Sequence, residues 1–246
     1  MAERAESFSE TEATAMKHLL KLLDLTPEEI LSILELADQL KYEKKHGIPH
    51  PRLQGKTLGM IFEKSSTRTR VSFETGMYQL GGHALFLSSH DLQIGRGEAV
   101  QDTARVLSRY LDGIMIRTFE QEEVESLAQY GSIPIINGLT DFCHPCQILA
   151  DLMTIREHKG TLEGLKMCFI GDGNNMMNSL IVGCLKTKMA VSVACPEGYR
   201  PPQEILEFAA QYPCFELTDD PKKAAVGADV MITDVWASMG QEGEAE

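Results

Sequence analysis

Long apolar segments are missing from this sequence of 246 residues. No run of about 18 apolar residues occurs, so we expect no transmembrane helix and no membrane association. Residues 1–16 are polar and rich in glutamate. A secretory signal needs an apolar core and a mitochondrial presequence contains few acids, so we expect neither. The sequence therefore predicts a frayed N-terminal tail and a cytoplasmic protein.

Positive charge is also scarce. The chain carries 23 Lys and Arg against 36 Asp and Glu, which gives a net charge of −13 at pH 7. Such an acidic protein is a poor partner for nucleic acid or for an anionic membrane. An anionic small molecule would need a local group of basic side chains, so clustered arginines are informative.

Cysteine is too sparse for a disulfide scaffold in a chain of this length. Most of the 6 cysteines lie in or near apolar runs, where Cys acts as a small hydrophobe. Cys143 and Cys146 flank His144 with the C-x-x-C spacing of a thiol redox centre or of half a zinc site. A zinc site would need a second pair of ligands, and Cys168, the next cysteine, lacks one at that spacing. Redox and metal chemistry are therefore minor alternatives, and we expect no metal.

Helix and strand patterns alternate along the chain, which predicts an α/β fold with mostly parallel sheets. The clearest helix follows Thr26, whose capping-box partner is Glu29. Apolar residues recur within it at Ile30, Ile33, Leu34 and Leu36, which supports the helix. Two domains are expected, each a mostly parallel sheet flanked by helices, comprising residues 1–147 and 148–246.

The predicted elements divide between these two units. Strands are expected at residues 57–62, 83–87, 113–118 and 133–138 in the first unit, and at 166–172, 190–196 and 230–236 in the second. Helices are expected at residues 26–47, 67–80, 98–110, 120–130, 145–160, 174–187 and 201–212, with a helical turn at 221–226. The second unit should therefore have a small sheet of three or four strands.

Hydrogen-bond donors are concentrated just after the first predicted strand. There a helix begins with a continuous run of donor residues, Ser66, Thr67, Arg68, Thr69 and Arg70. The free N–H groups and dipole of a helix N-terminus attract anions, and arginine offers a bidentate fork to phosphate. The alternative is a well-capped helix with two solvated arginines. The density of donors favours a phosphate site.

Two further strand ends carry residues suited to a ligand. Arg117 ends a strand that should be buried, where the side chains of parallel sheets reach the ligand crevice. The alternative is a surface arginine paired with a glutamate. His144 and Gln147 are three residues apart at the start of a helix and can face the same crevice, although a lone histidine is more often structural.

Three segments together resemble the signature segments of the carbamoyltransferase family. They are SSTRTR at residues 65–70, HPCQ at 144–147 and DVWASMG at 234–240. The first is specific to the family and the second less so, while the third resembles its ornithine branch. The resemblance extends from about Lys17 to Gly240. Cys143 and Cys146 occupy positions that vary in the family, so their thiols are expected to be incidental.

The resemblance implies transfer of the carbamoyl group of carbamoyl phosphate to the δ-amine of L-ornithine, which gives L-citrulline and phosphate. Carbamoyl phosphate would be bound by Ser66, Thr67, Arg68, Thr69, Gln93, Arg117, His144 and Gln147. Of these, Arg117 and His144 would be catalytic, because they contact the carbamoyl oxygen. Ornithine would be bound by Asn175, Asp234, Ser238 and Met239. No cofactor or metal is implied, and the implied assembly is a homotrimer or a multiple of trimers in which the Gln93 loop reaches the neighbouring subunit.

Two departures from the family pattern are evident. The family continues past the S-M-G loop to an H-C-L-P segment and a C-terminal helix, so we expect the chain as given to be weakly active or inactive. Lys188 also stands at a helix end that commonly has a left-handed glycine, where lysine would cost about 1 kcal/mol.

Three alternative functions are open at this point. GDGNNM at residues 171–176 resembles part of a dinucleotide-binding motif, but Met176 replaces the third glycine that allows close packing. A sister carbamoyltransferase would use aspartate, putrescine or an acylated ornithine. A truncated, non-catalytic paralogue would only bind ligands.

Overall fold

The protein contains two parallel four-stranded sheets, as described by residues 17–93 and 97–235 of a computed structural model. The strands of the first sheet are β1 (Thr57–Phe62), β2 (His83–Ser88), β3 (Gly113–Arg117) and β4 (Ile135–Leu139). Those of the second are β5 (Lys166–Ile170), β6 (Ala190–Ala194), β7 (Phe215–Thr218) and β8 (Val230–Ile232). The predicted fold class is confirmed.

Helices flank both sheets. Those in the first half of the chain are α1 (Pro27–Lys45), α2 (Thr67–Gln79), α3 (Val100–Leu107), α4 (Gln121–Tyr130) and α5 (Pro145–Lys159). Those in the second half are α6 (Asn175–Lys186), α7 (Gln203–Ala209) and α8 (Pro221–Ala225). None of the helices in the described ranges is long and apolar enough to cross a membrane.

Strand order reverses within each sheet, and the reversal locates a crevice. The first sheet has the order β2-β1-β3-β4, so the chain moves outward on both sides of the β1–β3 pair. The second has the order β7-β6-β5-β8, with the same reversal between β5 and β8. Parallel sheets bind ligands beyond the carboxyl ends of their strands at such points. The segments that follow β1, β3, β5 and β8 are therefore the natural places for ligand-binding side chains.

A bulge lies at the end of β3. The register with β4 shifts between Ile116 and Arg117, because Gly138 is an extra residue opposite this step. A Cβ atom at Gly138 would lie 2.6 Å from the sulfur of Met115, so the close approach requires glycine. The bulge increases the local twist, and this twist helps to set the direction in which Arg117 leaves the sheet.

One hydrophobic cluster joins the second sheet to helices from both halves of the chain. Ile30 of α1, Ile148 of α5 and Phe169 of β5 are all fully buried members of this cluster. Helices α5 and α6 pack closely, because a Cβ atom at Gly183 would lie 2.7 Å from Ile148. The domain boundary that we predict after residue 147 falls in the first turn of α5, which connects the two sheets.

The segment before α1 bridges the two sheets. Leu19 forms a parallel bridge with Ile136 of β4. Farther along, the ammonium group of Lys186 on α6 donates to the carbonyls of Leu22, at 2.9 Å, and Leu23, at 2.7 Å. The N-terminal segment therefore contacts the first sheet and a helix of the second sheet within a few residues.

Two local predictions are confirmed. Thr26 Oγ1 accepts a hydrogen bond from the Glu29 N–H at 3.2 Å, and the Thr26 N–H donates to the Glu29 carboxylate at 3.0 Å, which completes the capping box. Lys188 adopts the left-handed conformation that glycine favours, with φ of +62°.

Two features of the structure are absent from the sequence prediction. Strand β7 is absent from the predicted elements, because its four side chains are only half-buried and give no strong apolar pattern. Ile33 and Leu36 do not face the core of the chain. They are 36% and 46% exposed, whereas Ile30 and Leu34 are buried.

Candidate active site

A hydrogen-bonded turn after β1 forms the N-terminus of α2. Ser66 is its N-cap, and its hydroxyl accepts a hydrogen bond from the Thr69 N–H at 3.3 Å and donates to the Thr69 hydroxyl at 3.0 Å. Thr67 and Arg68 are exposed, and the first turn carries no acidic residue. The free N–H groups and the helix dipole therefore favour an anion at this place.

Arg70 points away from this turn. Its Nε donates to the carboxylate of Glu74 at 2.9 Å, and its guanidinium carbon lies 3.8 Å from the centre of the Phe86 ring. Of the predicted run of donors, the structure therefore leaves four at the helix N-terminus, namely Ser66, Thr67, Arg68 and Thr69.

Arg117, a buried cation, ends β3. Only 6% of its surface is exposed, and its Nε has no hydrogen-bond acceptor among the residues that the structure describes. Burial lowers the pKa of Arg117, and the positive charge of Arg68 lowers it further. A buried charge is costly unless it is paired, so a ligand with an acceptor oxygen would be stabilising here.

His144 is the N-cap of α5. The Nδ1 atom is buried and, within residues 17–93 and 97–235, no hydrogen-bond partner reaches it. Burial lowers the pKa of His144 to about 4, and the charge of Arg117 adds to the lowering. The imidazole is therefore neutral at pH 7. The charge of Arg68 acts on Arg117, and the charge of Arg117 acts on His144. The structure therefore brings these three residues within electrostatic range of one another.

Two predicted binding side chains form hydrogen bonds within the chain. Gln147 is exposed on α5, and its amide donates to the carboxylate of Asp151 at 2.9 Å. Asn175, at the start of α6, donates from Nδ2 to the carbonyl of Thr140 at 2.7 Å. Each amide keeps a second N–H hydrogen and a carbonyl oxygen with which it could bind a substrate.

Asp234 lies beside the N-terminus of α6. Its Oδ2 accepts a hydrogen bond from Asn174 Nδ2 at 2.9 Å. Asn174 caps α6, because its Oδ1 accepts from the N–H groups of Met176 and Met177. Asn174 is missing from the predicted site, although an asparagine directly before a helix is a strong cap signal. The structure brings Asn174, Asn175 and Asp234 together where the order of the second sheet reverses.

Two family models match the chain. Residues 17–157 match the carbamoyl-P binding domain of aspartate/ornithine carbamoyltransferase, and residues 163–246 match its Asp/Orn binding domain. The chain belongs to the aspartate/ornithine carbamoyltransferase family. The resemblance predicted from the three short segments is therefore confirmed.

Similar members of this carbamoyltransferase family are named ornithine carbamoyltransferase. The protein from Carboxydothermus hydrogenoformans is 56% identical over 93% of this chain and 75% of its own length. That from Oceanobacillus iheyensis is 59% identical over 94% of this chain and 73% of its own length. The solved structure of the Pyrococcus furiosus enzyme has 55% identity and a TM-score of 0.88, over 94% of this chain and 75% of that chain.

One predicted site residue of this carbamoyltransferase chain lies apart from the clusters above. Gln93 is exposed in the loop after β2, the outer strand of the first sheet. Ser238 and Met239 lie outside the described residues, so their placement is not compared with the prediction.

Lys64 adjoins the site and is missing from the sequence prediction. It is the second residue after β1, is only 9% exposed, and forms an ion pair with Asp141 in the loop before His144. Its ammonium group lies 4.2 Å from the centre of the Phe119 ring. Lys64 thereby joins the turn of the carbamoyl-P binding domain to the loop that carries His144. A lysine directly before the run of donors is a signal that could have identified it.

The two thiols of the C-x-x-C segment are protonated hydrogen-bond donors. Burial raises the pKa of Cys143 and of Cys146 to about 12. The Cys143 thiol donates to the side-chain oxygen of Gln121 at 3.4 Å, and the Cys146 thiol to the carbonyl of Asn137 at 3.3 Å. A redox centre or metal ligand needs an accessible thiolate, which this environment disfavours.

Proposed function

We propose that this chain transfers the carbamoyl group of carbamoyl phosphate to the δ-amine of L-ornithine, which gives L-citrulline and phosphate. The observation that carries the proposal is the convergence of Arg68, Arg117 and His144 at the strand reversal of the domain that matches the carbamoyl-P binding model. Relatives named ornithine carbamoyltransferase, at 56–59% identity, support ornithine as the second substrate.

In the proposed mechanism the α2 turn binds the phosphate through Ser66, Thr67, Arg68 and Thr69. Arg117 and the neutral His144 donate to the carbamoyl oxygen, and they stabilise the negative charge that develops as the amine attacks. Gln147 binds the carbamoyl amide, for which a side-chain amide is a suitable complement. Phosphate is a good leaving group, so the proposed reaction needs no cofactor or metal, and orientation supplies much of the acceleration.

The second domain would bind the amino acid. We assign the α-ammonium to the carboxylate of Asp234, and an interaction with the α-carboxylate or α-amine to Asn175. Ser238 and Met239 would close over the side chain of ornithine. Closure would exclude water, which limits hydrolysis of carbamoyl phosphate. The division into a carbamoyl phosphate domain (residues 1–147) and an ornithine domain (residues 148–246) belongs to the same proposal.

A homotrimer is the proposed assembly. The outer strand β2 and the helix beside it expose large apolar side chains, among them Val71, Tyr78, Leu85 and Phe86. A second copy on this face would cover them and would approach the loop that carries Gln93, which we assign to the neighbouring subunit's site. We also propose a cytoplasmic location and a role in arginine metabolism, since six free cysteines fit a reducing compartment.

The dinucleotide alternative is disfavoured by the loop after β5. The N–H of Gly173 donates to the carbonyl of Tyr199 at 2.6 Å, and a Cβ atom at Gly173 would lie 2.4 Å from the nitrogen of Pro201. Neighbouring backbone therefore occupies the space that a pyrophosphate would need beside this turn.

The test is a citrulline assay of the purified chain with carbamoyl phosphate and a panel of amines. Ornithine should be carbamoylated, and aspartate, putrescine and acetylornithine should not. Preference for another amine would establish a sister carbamoyltransferase instead. Calorimetry with both substrates is run in parallel, because binding without turnover would establish the non-catalytic alternative. Absence of both binding and turnover would refute the proposal.

A further inference from the structure

One face of α6 is directed at the loop that carries His144. Asn175, Asn178 and Ser179 have the i, i+3, i+4 spacing that places side chains on one side of a helix. Their side chains contact the loop between β4 and α5, which belongs to the other half of the chain. We call these three residues the clamp face.

The clamp face binds the backbone of alternate residues in this loop. Asn175 Nδ2 donates to the carbonyl of Thr140 at 2.7 Å, and Asn178 Nδ2 donates to the carbonyl of Phe142 at 2.9 Å. Ser179 Oγ accepts a hydrogen bond from the N–H of His144 at 2.8 Å. These contacts involve main-chain atoms, so they fix the path of the loop whatever its side chains are.

The Ser179 hydroxyl is both a hydrogen-bond acceptor and a hydrogen-bond donor. It accepts from His144 and donates its single proton to the carbonyl of Asn175 at 2.8 Å. The residue is only 3% exposed, so water cannot readily replace it. His144 is the N-cap of α5, and its own side chain makes no capping hydrogen bond. The Ser179 hydroxyl is therefore the acceptor that holds the main-chain N–H of His144.

We infer that Ser179 is a positioning residue that holds His144 in the cleft against Arg117, and that the clamp face thereby couples the amino-acid domain to the carbamoyl phosphate site. The inference rests on the proposed function for its catalytic consequence. Asn175 belongs both to the clamp face and to the proposed ornithine site. Ornithine that recruits Asn175 would therefore act on the same loop that carries His144.

Loss of the Ser179 hydroxyl should change the chemical step more than ornithine binding. In Ser179→Ala the His144 N–H loses its acceptor and the loop can move, so the imidazole departs from its orientation. Displacement of a catalytic group by about 1 Å can cost roughly 100-fold in rate, so we expect kcat to fall about 10- to 100-fold. The KM for ornithine should change little, and Ser179→Thr, which keeps the hydroxyl, should restore most of the kcat.

The experiment compares the parent with Ser179→Ala, Ser179→Thr, Asn178→Ala and a matched control, Ser192→Ala. Ser192 is also a buried serine whose hydroxyl donates to a carbonyl, that of Ala224 at 2.7 Å, but it lies on β6. The readouts are kcat and KM for citrulline formation and an NMR titration of the His144 imidazole, which needs no turnover. In Ser179→Ala the pKa of His144 should rise from about 4 toward 6.5 as the ring meets solvent.

The inference is overturned if folded Ser179→Ala keeps the parent's kcat and His144 titration, or if Ser192→Ala changes both equally. Asn178→Ala, which frees the carbonyl of Phe142, decides the question in the same way if Ser179→Ala does not fold. A parent that forms no citrulline would refute the proposed function, whereas the imidazole titration would still support or overturn the positioning role.

Discussion

Replacing Arg117 with methionine should stabilise the unliganded protein while it abolishes binding of carbamoyl phosphate. In the structure the guanidinium is buried, its Nε has no acceptor among the described residues, and both burial and Arg68 disfavour its charge. Methionine keeps a long flexible chain at the end of β3 and removes both the charge and the unpaired donor. In the parent, Arg117 therefore lowers the stability of the unliganded protein and provides a group that binds carbamoyl phosphate.

The magnitude follows from the removed groups. An unpaired buried donor costs about 1–3 kcal/mol, and replacing a buried ion pair with apolar side chains is often neutral or stabilising by about 1–4 kcal/mol. We therefore expect Arg117→Met to raise the free energy of unfolding by about 1–3 kcal/mol. For a protein of this size that corresponds to an increase in Tm of roughly 2–4 °C for each kcal/mol.

Urea and thermal unfolding with and without fresh carbamoyl phosphate measure both effects. At a ligand concentration of 100 times Kd, the parent should gain about 2.7 kcal/mol and Arg117→Met should gain nothing. Arg105→Met is the control, because Arg105 is an exposed arginine on α3 that pairs with Asp102. It should stay within about 0.5 kcal/mol of the parent and keep the ligand effect.

If Arg117→Met unfolds more readily than the parent without ligand, the buried guanidinium is favourably paired and the prediction is refuted. Equal stabilisation of variant and parent by carbamoyl phosphate would also refute it. In that case Arg117 would not contact the ligand.

Three further predictions concern pH, backbone strain and thiols. Since the folded protein keeps the pKa of His144 at about 4, below its unfolded value of 6.5, only the unfolded chain binds this proton between those values. The free energy of unfolding should therefore fall by up to roughly 3 kcal/mol between pH 6.5 and pH 4 on account of His144. In His144→Gln, the free energy of unfolding measured in urea should depend less on pH in this range. An equal pH dependence in parent and variant would contradict this. Lys188 has φ of +62°, so Lys188→Gly should raise the free energy of unfolding by about 1 kcal/mol and Lys188→Ala should not. A lower free energy of unfolding in the glycine variant would refute the backbone strain. Cys214 is exposed, whereas the pKa values of Cys143 and Cys146 are raised to about 12. A thiol reagent at pH 8 should therefore label Cys214 in the native protein long before Cys143 or Cys146. Peptide mass spectrometry measures the order of labelling, and early labelling of Cys143 or Cys146 would contradict their burial.

Local features of the fold could be predicted because few residues determine them. The capping box of Thr26 and Glu29, the helix start at Ser66 and the left-handed backbone at Lys188 each depend on their immediate neighbours. The alternation of strands and helices predicts two parallel sheets. Strand β7 was not predicted, because its half-buried side chains show no strong strand pattern and the segment forms a strand only by pairing with β6.

The candidate site was only partly predictable. The sequence singles out Arg68, Arg117 and His144 by their positions at strand and helix ends. Asn174 and Lys64 escaped prediction, because their roles depend on Asp234 and Asp141, which are 60 and 77 residues away along the chain. The mutual repulsion of Arg68 and Arg117 likewise exists only when β1 and β3 lie side by side.

The α/β class, the helix caps and the family can all be predicted from the amino-acid order, since each depends on short runs of residues in a fixed sequence. Which of these runs meet emerges only on folding, which places His144 beside Arg117 and attaches the loop of His144 to Ser179 on α6. Hydrogen bonds and charges act over a few ångströms in space. Distance along the chain does not reveal which groups packing will bring that close.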